Sequence, residues 1–342
     1  MGTAAVVVYG ATGHTGRFVV AELQRRGFAV IVSGRDASRL EALAARVGDV
    51  EVRPACVDDA GALDRALAGA AAVVNCAGPF AVTAGPVVGA ALRAGIPYLD
   101  VAAELEANVA TFADHARAAA ASGTPVVPAM AFFGGLGDLL VTAAMGDWTS
   151  AEVVHVAYGL NSWHPTSGTR AAGRVSHERR AGRRVRFTEG ALRYHDDAVA
   201  EQDWLFPEPL GRRSVIAEFT MADAVTVPTH VAVPEVRTYM TVEAARDLAA
   251  EDTPAPEPAD ALGRSDQTFV VDAVVGSGGV ERRATASGRD IYAVTAPLVV
   301  EALERVLSGR TRTSGVASAG AMFDAPDFLR ALAPYVSVEL PR

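Results

Sequence analysis

The sequence predicts an α/β protein with a doubly wound parallel sheet in its amino-terminal part and a second α+β domain built on a mixed or antiparallel sheet. Short Val- and Ala-rich runs alternate with helix-length amphipathic stretches up to about residue 128, and polar–apolar alternation replaces this pattern beyond it. A chain of 342 residues also suits about two domains, at roughly 150 residues each. We expect 1–130 and about 293–342 to form the first domain and 131–292 the second.

The first half has the rhythm of a parallel sheet that helices cover on both faces. Apolar strands are predicted at 4–9, 29–33, 51–55, 72–76, 98–101 and 125–127. Amphipathic helices are predicted between them at 16–26, 37–47, 60–68, 85–94 and 106–122. A glycine follows each helix, as expected of left-handed caps, at Gly27, Gly48, Gly69, Gly95 and Gly123.

The second half alternates polar and apolar residues between turn signals, which is typical of a half-buried sheet. Strands are predicted at 152–160, 184–187, 214–220, 239–242 and 268–275. Repeated prolines predict a solvated loop at 251–263, and one-face apolar spacing predicts helices at 294–308 and 326–332. Seven arginines between 174 and 193 indicate a hairpin with a basic face or, alternatively, a clamp for a carboxylate or phosphate.

Composition excludes several classes of protein. The net charge of −9 disfavours nucleic-acid and anionic-membrane partners, since both require a positive field. All 31 basic residues are arginine, which excludes a lysine Schiff base and a phosphate-loop lysine. Two cysteines, Cys56 and Cys76, do not support a disulfide framework or a metal site. With no secretion signal or long apolar run, we expect a soluble cytoplasmic protein, for which a homodimer is a possible assembly.

The strongest chemical signal is a glycine-rich turn between the first strand and the first helix. Its glycines permit a tight bend, a close approach of the backbone to a diphosphate, and close helix–strand packing. Free N–H groups and the helix dipole then stabilise the anion. The turn predicts a Rossmann-type dinucleotide site formed by Gly10, Thr12, Gly13, His14, Thr15 and Gly16.

The end of the second strand indicates which dinucleotide binds. An acid that would bond a ribose 2′-hydroxyl is missing there, and Arg35 stands beside Ser33 and Gly34 with Arg39 one turn later. A guanidinium suits a 2′-phosphate, so the sequence predicts NADP(H). Asp36 leaves an alternative open, because it can pair with Arg35 or cap the next helix.

The fourth strand ends in small residues where such a sheet places the nicotinamide ribose and the second phosphate. The residues predicted to bind there are Cys76, Ala77, Gly78, Pro79 and Phe80. Cys76 is interpreted as a small buried residue, with a nucleophilic thiol as the alternative.

Taken together, these motifs resemble the saccharopine dehydrogenase-like reductases. The resemblance rests on 10–17, 33–35, 74–80, 85–88, 95–100 and Glu104, with weaker matches at 167–169, 290–292, 295–296 and 315–316. It implies hydride transfer from NADPH to a C=N or C=C bond in a cleft between the two domains. The chain departs from the pattern at Ala103, where relatives often have Gly, and at 131–133, where they often have Gly-Phe-Asp.

A reduction also requires a proton source and groups that hold the substrate. Asp138 begins an apolar helix after a glycine-rich turn, and it is predicted as an acid or, alternatively, as a helix N-cap. Tyr98 and His164 are the other candidate catalytic residues. The candidate substrate-binding residues are Glu104, Tyr158, Ser167 and Thr169.

Two rival functions remain open from the sequence. A non-catalytic NADP(H)-binding redox sensor would use the same fold without turnover. A semialdehyde-type dehydrogenase would use the Cys76 thiol covalently. Small-molecule or carrier-bound substrates are the expected partners of the preferred hypothesis, the reductase.

Overall fold

The amino-terminal part of the computed structural model, which describes residues 4–341, alternates strands and helices. Its elements are β1 (Ala5–Tyr9), α1 (His14–Arg25), β2 (Ala29–Gly34), α2 (Ala37–Val47), β3 (Val50–Pro54), α3 (Ala60–Leu67), β4 (Ala72–Asn75), α4 (Phe80–Ala94), β5 (Tyr98–Asp100), α5 (Leu105–Ser122) and β6 (Val126–Val127). The strands are parallel and lie in the order β3-β2-β1-β4-β5-β6. The strand order reverses at β1 and β4, which opens a crevice at their carboxyl ends.

The structure confirms the predicted parallel sheet, and its largest local difference lies in α4. This helix begins at Phe80, five residues before the predicted start at 85. The first turn has no cap from its own N-cap residue, Pro79; instead, the Glu104 carboxylate accepts the N–H of Ala81 at 3.0 Å. A contact from a neighbouring loop therefore stabilises a helix start that local sequence does not signal.

The second sheet has nine strands and is mixed, as predicted. Its strands and the helices between them are β7 (Val153–Leu160), α7 (Ser167–Arg179), β8 (Arg184–Thr188), β9 (Ala191–His195), β10 (Glu201–Leu205), β11 (Arg212–Ala217), α8 (Asp223–Thr226), β12 (Val236–Thr241), α9 (Val242–Ala249), β13 (Thr268–Ser277), β14 (Val280–Arg289) and β15 (Ser337–Glu339). The order is β10-β11-β12-β7-β13-β14-β15, and β8 and β9 form a hairpin attached to β12. The β12–β7 pair is parallel.

The basic stretch differs from its prediction. Residues 167–179 form α7, which the Thr166 side chain caps, so the hairpin occupies only the end of the stretch. Within the hairpin, the guanidinium of Arg186 pairs with the carboxylates of Asp197 and Glu218. The predicted basic face is thus partly neutralised by the protein's own acids.

The remaining helices connect the two sheets: α6 (Gly137–Met145), α10 (Thr295–Leu307), α11 (Ala319–Met322) and α12 (Ala325–Ala331). Helix α10 packs on α1, where Arg26 pairs with Glu301 at 2.9 Å, whereas β15 pairs with β14 of the second sheet. The domain bounds at residues 130 and 293 stay a prediction. Within 293–342, α10 contacts the first domain and β15 pairs with the second sheet. No helix within residues 4–341 is both long and apolar enough to cross a membrane.

Candidate cofactor and active site

The turn between β1 and α1 is packed so tightly that it leaves no room for side chains at its first and last glycines. Gly10 has a φ of +84°, and a Cβ there would lie 2.7 Å from the backbone nitrogen of Ala77. A Cβ at Gly16 would lie 2.3 Å from the carbonyl oxygen of Gly10. The N–H of Gly10 donates to the carbonyl of Ser33 at 2.8 Å. Contacts with β2 and with the end of β4 therefore fix the shape of the turn.

The N-terminus of α1 has no capping side chain. Its N-cap residue is Gly13, whereas Asp36, Asp59, Thr166 and Asp324 cap other helices through their side chains. The first N–H groups of a helix have no partners within the helix, and its dipole makes this end positive. An anion such as a diphosphate can accept hydrogen bonds from these free N–H groups and is attracted by the positive end of the helix.

Arginines without ion-pair partners surround the end of β2. Arg35 and Arg39 are exposed, and neither pairs with a carboxylate in the described part of the chain. Asp36 caps α2 by accepting the N–H of Arg39 at 3.0 Å, which confirms the capping alternative for this residue. Burial, with the nearby charges of Arg46 and Arg39, lowers the pKa of Arg17. This unpaired positive cluster suits a 2′-phosphate.

A buried polar atom lies beside the cluster. The Ser33 hydroxyl is fully buried and has no hydrogen-bond partner among the residues described. Its neighbour Gly34 lies close to the glycine-rich turn, since a Cβ there would be 3.8 Å from the nitrogen of Gly10. A ribose hydroxyl or its phosphate would supply the missing partner, so the residues present fit a phosphorylated dinucleotide.

Asn75 organises the turn that follows β4. Its amide nitrogen donates to the hydroxyls of Tyr98 at 3.1 Å and Thr83 at 3.3 Å. Its carbonyl oxygen accepts the N–H of Ala77 at 3.0 Å. The backbone of the predicted ribose-binding segment is therefore held by a buried amide.

Tyr98 belongs to this buried network and does not face a cleft. It is fully buried, and its hydroxyl donates to Asp100 Oδ2 at 2.8 Å while accepting from Asn75. Asp100 Oδ1 accepts the N–H groups of Ala102 at 3.0 Å and Ala129 at 2.8 Å. Burial raises the pKa of Tyr98 well above its ordinary value. We therefore replace the predicted catalytic role of Tyr98 with a structural one, which ties β4 to β5.

Cys76 is half-buried at the start of the same turn. Burial, reinforced by the Asp100 carboxylate, raises the pKa of its thiol. Because the thiolate is the nucleophilic form of cysteine, this environment argues against covalent catalysis. The semialdehyde-type dehydrogenase is accordingly disfavoured.

Tyr292 connects the predicted cofactor and substrate residues. Its ring lies edge-on to that of His14, with the centroids 5.2 Å apart. Its hydroxyl accepts from Trp163 Nε1 at 3.1 Å and from the N–H of Thr166 at 3.3 Å, and lies 3.0 Å from Thr169 Oγ1. Burial lowers the pKa of His14, whose Nε2 is buried without a described partner. One side chain thus links the glycine-rich turn to the start of α7.

A cavity of about 330 Å³ lies beside Tyr292. His164 lines it, together with the proline-rich segment 254–259, which forms one wall. The same loop reaches α1, since a Cβ at Gly263 would lie 3.9 Å from the ring of Phe18. The structure therefore places the predicted catalytic His164 beside a cavity that Tyr292, which packs on His14 of the glycine-rich turn, also lines.

Helix α7 brings the second domain against the end of β4. A Cβ at Gly78 would lie 3.9 Å from the Cβ of Ala172, and Arg179 donates to the carbonyl of Ala81 at 3.0 Å. Ser167 is exposed at the start of this helix. A covering element from one domain thus meets the predicted nicotinamide-ribose segment of the other.

Tyr158 is sealed inside the second domain. It is fully buried and donates to the Asp223 carboxylate, with oxygen–oxygen distances of 2.9 and 3.0 Å, while its hydroxyl accepts the N–H of Gly134 at 3.4 Å. The rings of Phe132 and Phe133 pack against it. Burial raises the pKa of Asp223 to about 7. The predicted contact between Tyr158 and a substrate is corrected to a structural pair with Asp223.

Asp138 is the second residue of α6 and is fully buried, so it is not the N-cap, which is Leu136. One carboxylate oxygen lies 2.7 Å from His230 Nε2, and the other accepts the N–H of Gly320 at 2.7 Å. Burial lowers the pKa of His230, but the adjacent carboxylate outweighs it and raises the pKa overall. Because both oxygens of Asp138 are engaged, we correct its predicted catalytic role to a buried ion pair.

In the described part of the chain, one set of side chains brings metal-ligating atoms together: His195, Asp197 and Glu218. The guanidinium of Arg186 lies 2.8 Å from Asp197 Oδ2 and 3.2 Å from Glu218 Oε2. This arginine already supplies the positive charge between the two carboxylates. We interpret the set as an ion-pair cluster.

Comparison with known proteins agrees with this geometry. Residues 6–127, which span the first sheet, match the model of the saccharopine dehydrogenase NADP binding domain. The amino-terminal part of this NADP-dependent oxidoreductase is thus similar to the NADP binding domain of saccharopine dehydrogenases. The match confirms the predicted cofactor, NADP(H). Among curated proteins, none matches the sequence.

Two solved structures are similar to nearly the whole chain. The apo, histidine-tagged saccharopine dehydrogenase (L-Glu forming) from Saccharomyces cerevisiae has a TM-score of 0.64 at 12% identity, covering 99% of this chain and 100% of that one. GenD2 from gentamicin A biosynthesis, in complex with NAD, has a TM-score of 0.47 at 15% identity, covering 97% and 92%. The yeast enzyme shows that its fold extends over both sheets of this chain.

Sequence reasoning missed four residues that shape this oxidoreductase. Arg17 follows the glycine-rich turn directly, and this position next to the predicted cofactor site could have identified it as a cofactor-binding residue. Tyr292 lies in 290–292, one of the weaker matches to the family pattern. Asp223 and His230 carry no sequence signal, because each is defined by a partner far away in the chain.

Proposed function

We propose that this saccharopine dehydrogenase-like protein reduces a C=N or C=C bond in a small or carrier-bound metabolite. The supporting observation is that α7 of the second domain meets the end of β4, on the sheet edge that carries the uncapped start of α1 and the unpaired arginines. A cofactor site and a covering domain thus share one edge, as hydride transfer between two bound molecules requires.

In this proposal the backbone from Gly10 to Gly16 binds the diphosphate. Ser33, Gly34, Arg35 and Arg39, with Arg17 beside them, bind the 2′-phosphate, and the segment 76–80 binds the nicotinamide ribose. When bound, NADPH supplies a hydride. The protein's own residues exclude water and position the substrate.

On the substrate side we propose contacts from the start of α7 and the cavity beside Tyr292. Ser167 and Thr169 belong to the first turn of α7, and Thr169 bonds Tyr292. His164 lines the adjoining cavity. Neither nucleic acid nor a membrane is proposed as a partner, in line with the net charge of −9.

Calorimetric titration with NADPH and NADH tests the cofactor part. We expect NADPH to bind more than about tenfold tighter, because charge-assisted hydrogen bonds contribute about 1.5–3 kcal/mol. Arg35→Ala should remove most of that preference. Arg65→Ala, an exposed arginine at the end of α3, is the matched control and should leave it unchanged. Equal affinities in the wild-type protein would refute the 2′-phosphate assignment.

Turnover tests the reaction. Substrate-dependent oxidation of NADPH should appear within a panel of imines, unsaturated acids and carrier-linked thioesters. Cofactor binding without turnover of any panel member would favour the non-catalytic NADP(H) sensor instead.

A further inference from the structure

Glu104 is a buried carboxylate with an unused oxygen. Its side chain leaves the loop after β5 and reaches the first turn of α4, where Oε2 accepts the N–H of Ala81 at 3.0 Å and the carboxylate also faces the amide of Phe80. The residue is 7% exposed, and Oε1 is buried without a hydrogen-bond partner among the residues described. A buried polar atom without a partner is costly, so an unpaired carboxylate oxygen points to a missing ligand or proton.

The other polar side chains of the network between β4 and β5 have their partners. Asn75, Thr83, Tyr98 and Asp100 bond one another or nearby backbone groups. Glu104 alone, within this described set, retains an oxygen that nothing satisfies. Like the Ser33 hydroxyl at the end of β2, it can therefore engage a bound molecule at this edge.

Glu104 lies where the two domains meet. Ala81 donates its N–H to Glu104, while its carbonyl accepts from Arg179 of α7. Ala81 follows directly on the segment 76–80, which is proposed to bind the nicotinamide ribose. A substrate held between the domains would thus lie close to this carboxylate.

The burial of Glu104 brings its pKa close to neutral pH. Burial raises its pKa to about 7, against the N–H groups of Ala81 and Phe80, which lower it; Asp100 and Glu106 raise it further. The charge of Glu106 is compensated from α7 by Arg180, at 3.6 Å. An acid with this affinity for protons is suited to proton transfer near pH 7.

A second cavity lies beside the amides that face Glu104. It has a volume of about 210 Å³ and is bounded by the start of α4, by α5 and by Arg179. Phe80 and Ala81, whose amides hold Glu104, line it, and so do Asp114 and His115. Burial lowers the pKa of His115, so this imidazole is neutral at pH 7. Water in this cavity can return a proton to the buried acid.

We propose that Glu104 is the proton donor of the reduction. This role rests on the proposed function. As the substrate double bond accepts a hydride from NADPH at one atom, the O–H bond of the Glu104 carboxyl breaks and its proton passes to the other atom. The products are the saturated substrate, NADP⁺ and the Glu104 carboxylate, which takes a proton from solvent before the next turnover.

Infrared titration of the free protein tests the acid without substrate. The protonated-carboxyl band should lose intensity between about pH 6 and 8. Glu104→Gln should remove part of that change, and the remainder should come from Asp223. Glu243→Gln, the same exchange at an exposed position of α9, is the matched control and should leave the change intact. A Glu104 that titrates near pH 4 would overturn the proposal.

Turnover then tests the donor role. With a substrate that the wild-type protein accepts, kcat should fall as pH rises above about 7. Glu104→Gln should lower kcat by about 10²–10⁴-fold and abolish that pH dependence, while the Kd for NADPH changes by less than about threefold. Wild-type-like turnover in Glu104→Gln would overturn the donor role alone. Failure of every substrate with the wild-type protein would instead overturn the proposed reduction, and the donor role with it.

Discussion

Replacing Asp138 with Asn distinguishes a structural carboxylate from a catalytic one. The side chain is fully buried and bonds His230 and the N–H of Gly320. Removing one partner of a buried ion pair costs about 3–5 kcal/mol. The amide oxygen can still accept from Gly320, but it cannot carry the charge that stabilises a protonated His230. We therefore expect Asp138→Asn to lower the free energy of unfolding by about 3 kcal/mol, at the low end of that range.

The pH dependence of this loss follows from the direction of the His230 pKa. Since the folded pKa is raised above the unfolded value, the stabilisation is fully present below about pH 6.5 and is lost as pH rises through the folded pKa. The difference between the wild-type protein and Asp138→Asn should thus be largest near pH 6 and smaller near pH 9. His230→Gln should give the same trend.

Urea unfolding at both pH values, with the two single variants and the double variant, measures this pair. The double variant should cost less than the sum of the two singles, because each single variant already breaks the same contact. NADPH oxidation per folded molecule should change by less than about tenfold, well short of the effect of losing an acid catalyst. An unchanged urea midpoint together with a hundredfold loss of turnover would refute the structural role and restore the catalytic one.

Three further changes test other parts of the site. Gly16→Ala should weaken NADPH binding at least tenfold and destabilise the fold by about 1–3 kcal/mol, since its Cβ would lie 2.3 Å from a carbonyl oxygen. Gly89→Ala in α4, whose Cβ would lie 3.5 Å from the flexible side chain of Arg93, is the control for calorimetry and thermal unfolding. Cys76→Ser should retain turnover within about threefold, because burial holds the thiol protonated; loss of activity would revive covalent catalysis. Asp223→Asn should change the pH dependence of unfolding: the raised pKa of Asp223 means that its contribution is greatest below about pH 4 and declines as pH rises to about 7. Parallel unfolding curves for the two proteins across that range would contradict this.

The first sheet was predictable because a parallel strand covered on both faces must be apolar along its whole length. Helix α7 was not predictable in the same way. Its one buried residue is Ser176, and its contacts with the first domain are polar, including the Arg179 bond to Ala81. A helix without an apolar stripe lacks the periodicity on which sequence prediction depends.

The residues of the candidate site also differ in how far their positions could be predicted from the sequence. The glycine-rich turn was predictable because Gly10 and Gly16 act on backbone within a few residues or in the adjoining strand end. Tyr98 and Asp138 are predicted as catalytic residues, and Tyr158 as a substrate-binding one, because polar residues at strand ends and helix starts often face ligands. In this fold other side chains and backbone groups satisfy them, and for Tyr158 and Asp138 these partners are distant: the carboxylate bonded to Tyr158 lies 65 residues away and the N–H bonded to Asp138 lies 182 residues away. Such pairings arise from tertiary structure, and local sequence does not encode them.

The absence of lysine reduces the kinds of side chain that can exchange a proton in this oxidoreductase. Every basic side chain apart from histidine is an arginine, which stays protonated and cannot exchange a proton during turnover. Burial raises the pKa of the Cys76 thiol and of the Tyr98 and Tyr158 hydroxyls, so these groups hold their protons near neutrality. Proton exchange at the domain boundary therefore falls to carboxylates and imidazoles. Of these, Glu104 combines an unsatisfied oxygen with a pKa of about 7, so a reduction at this edge should slow as the solution becomes alkaline.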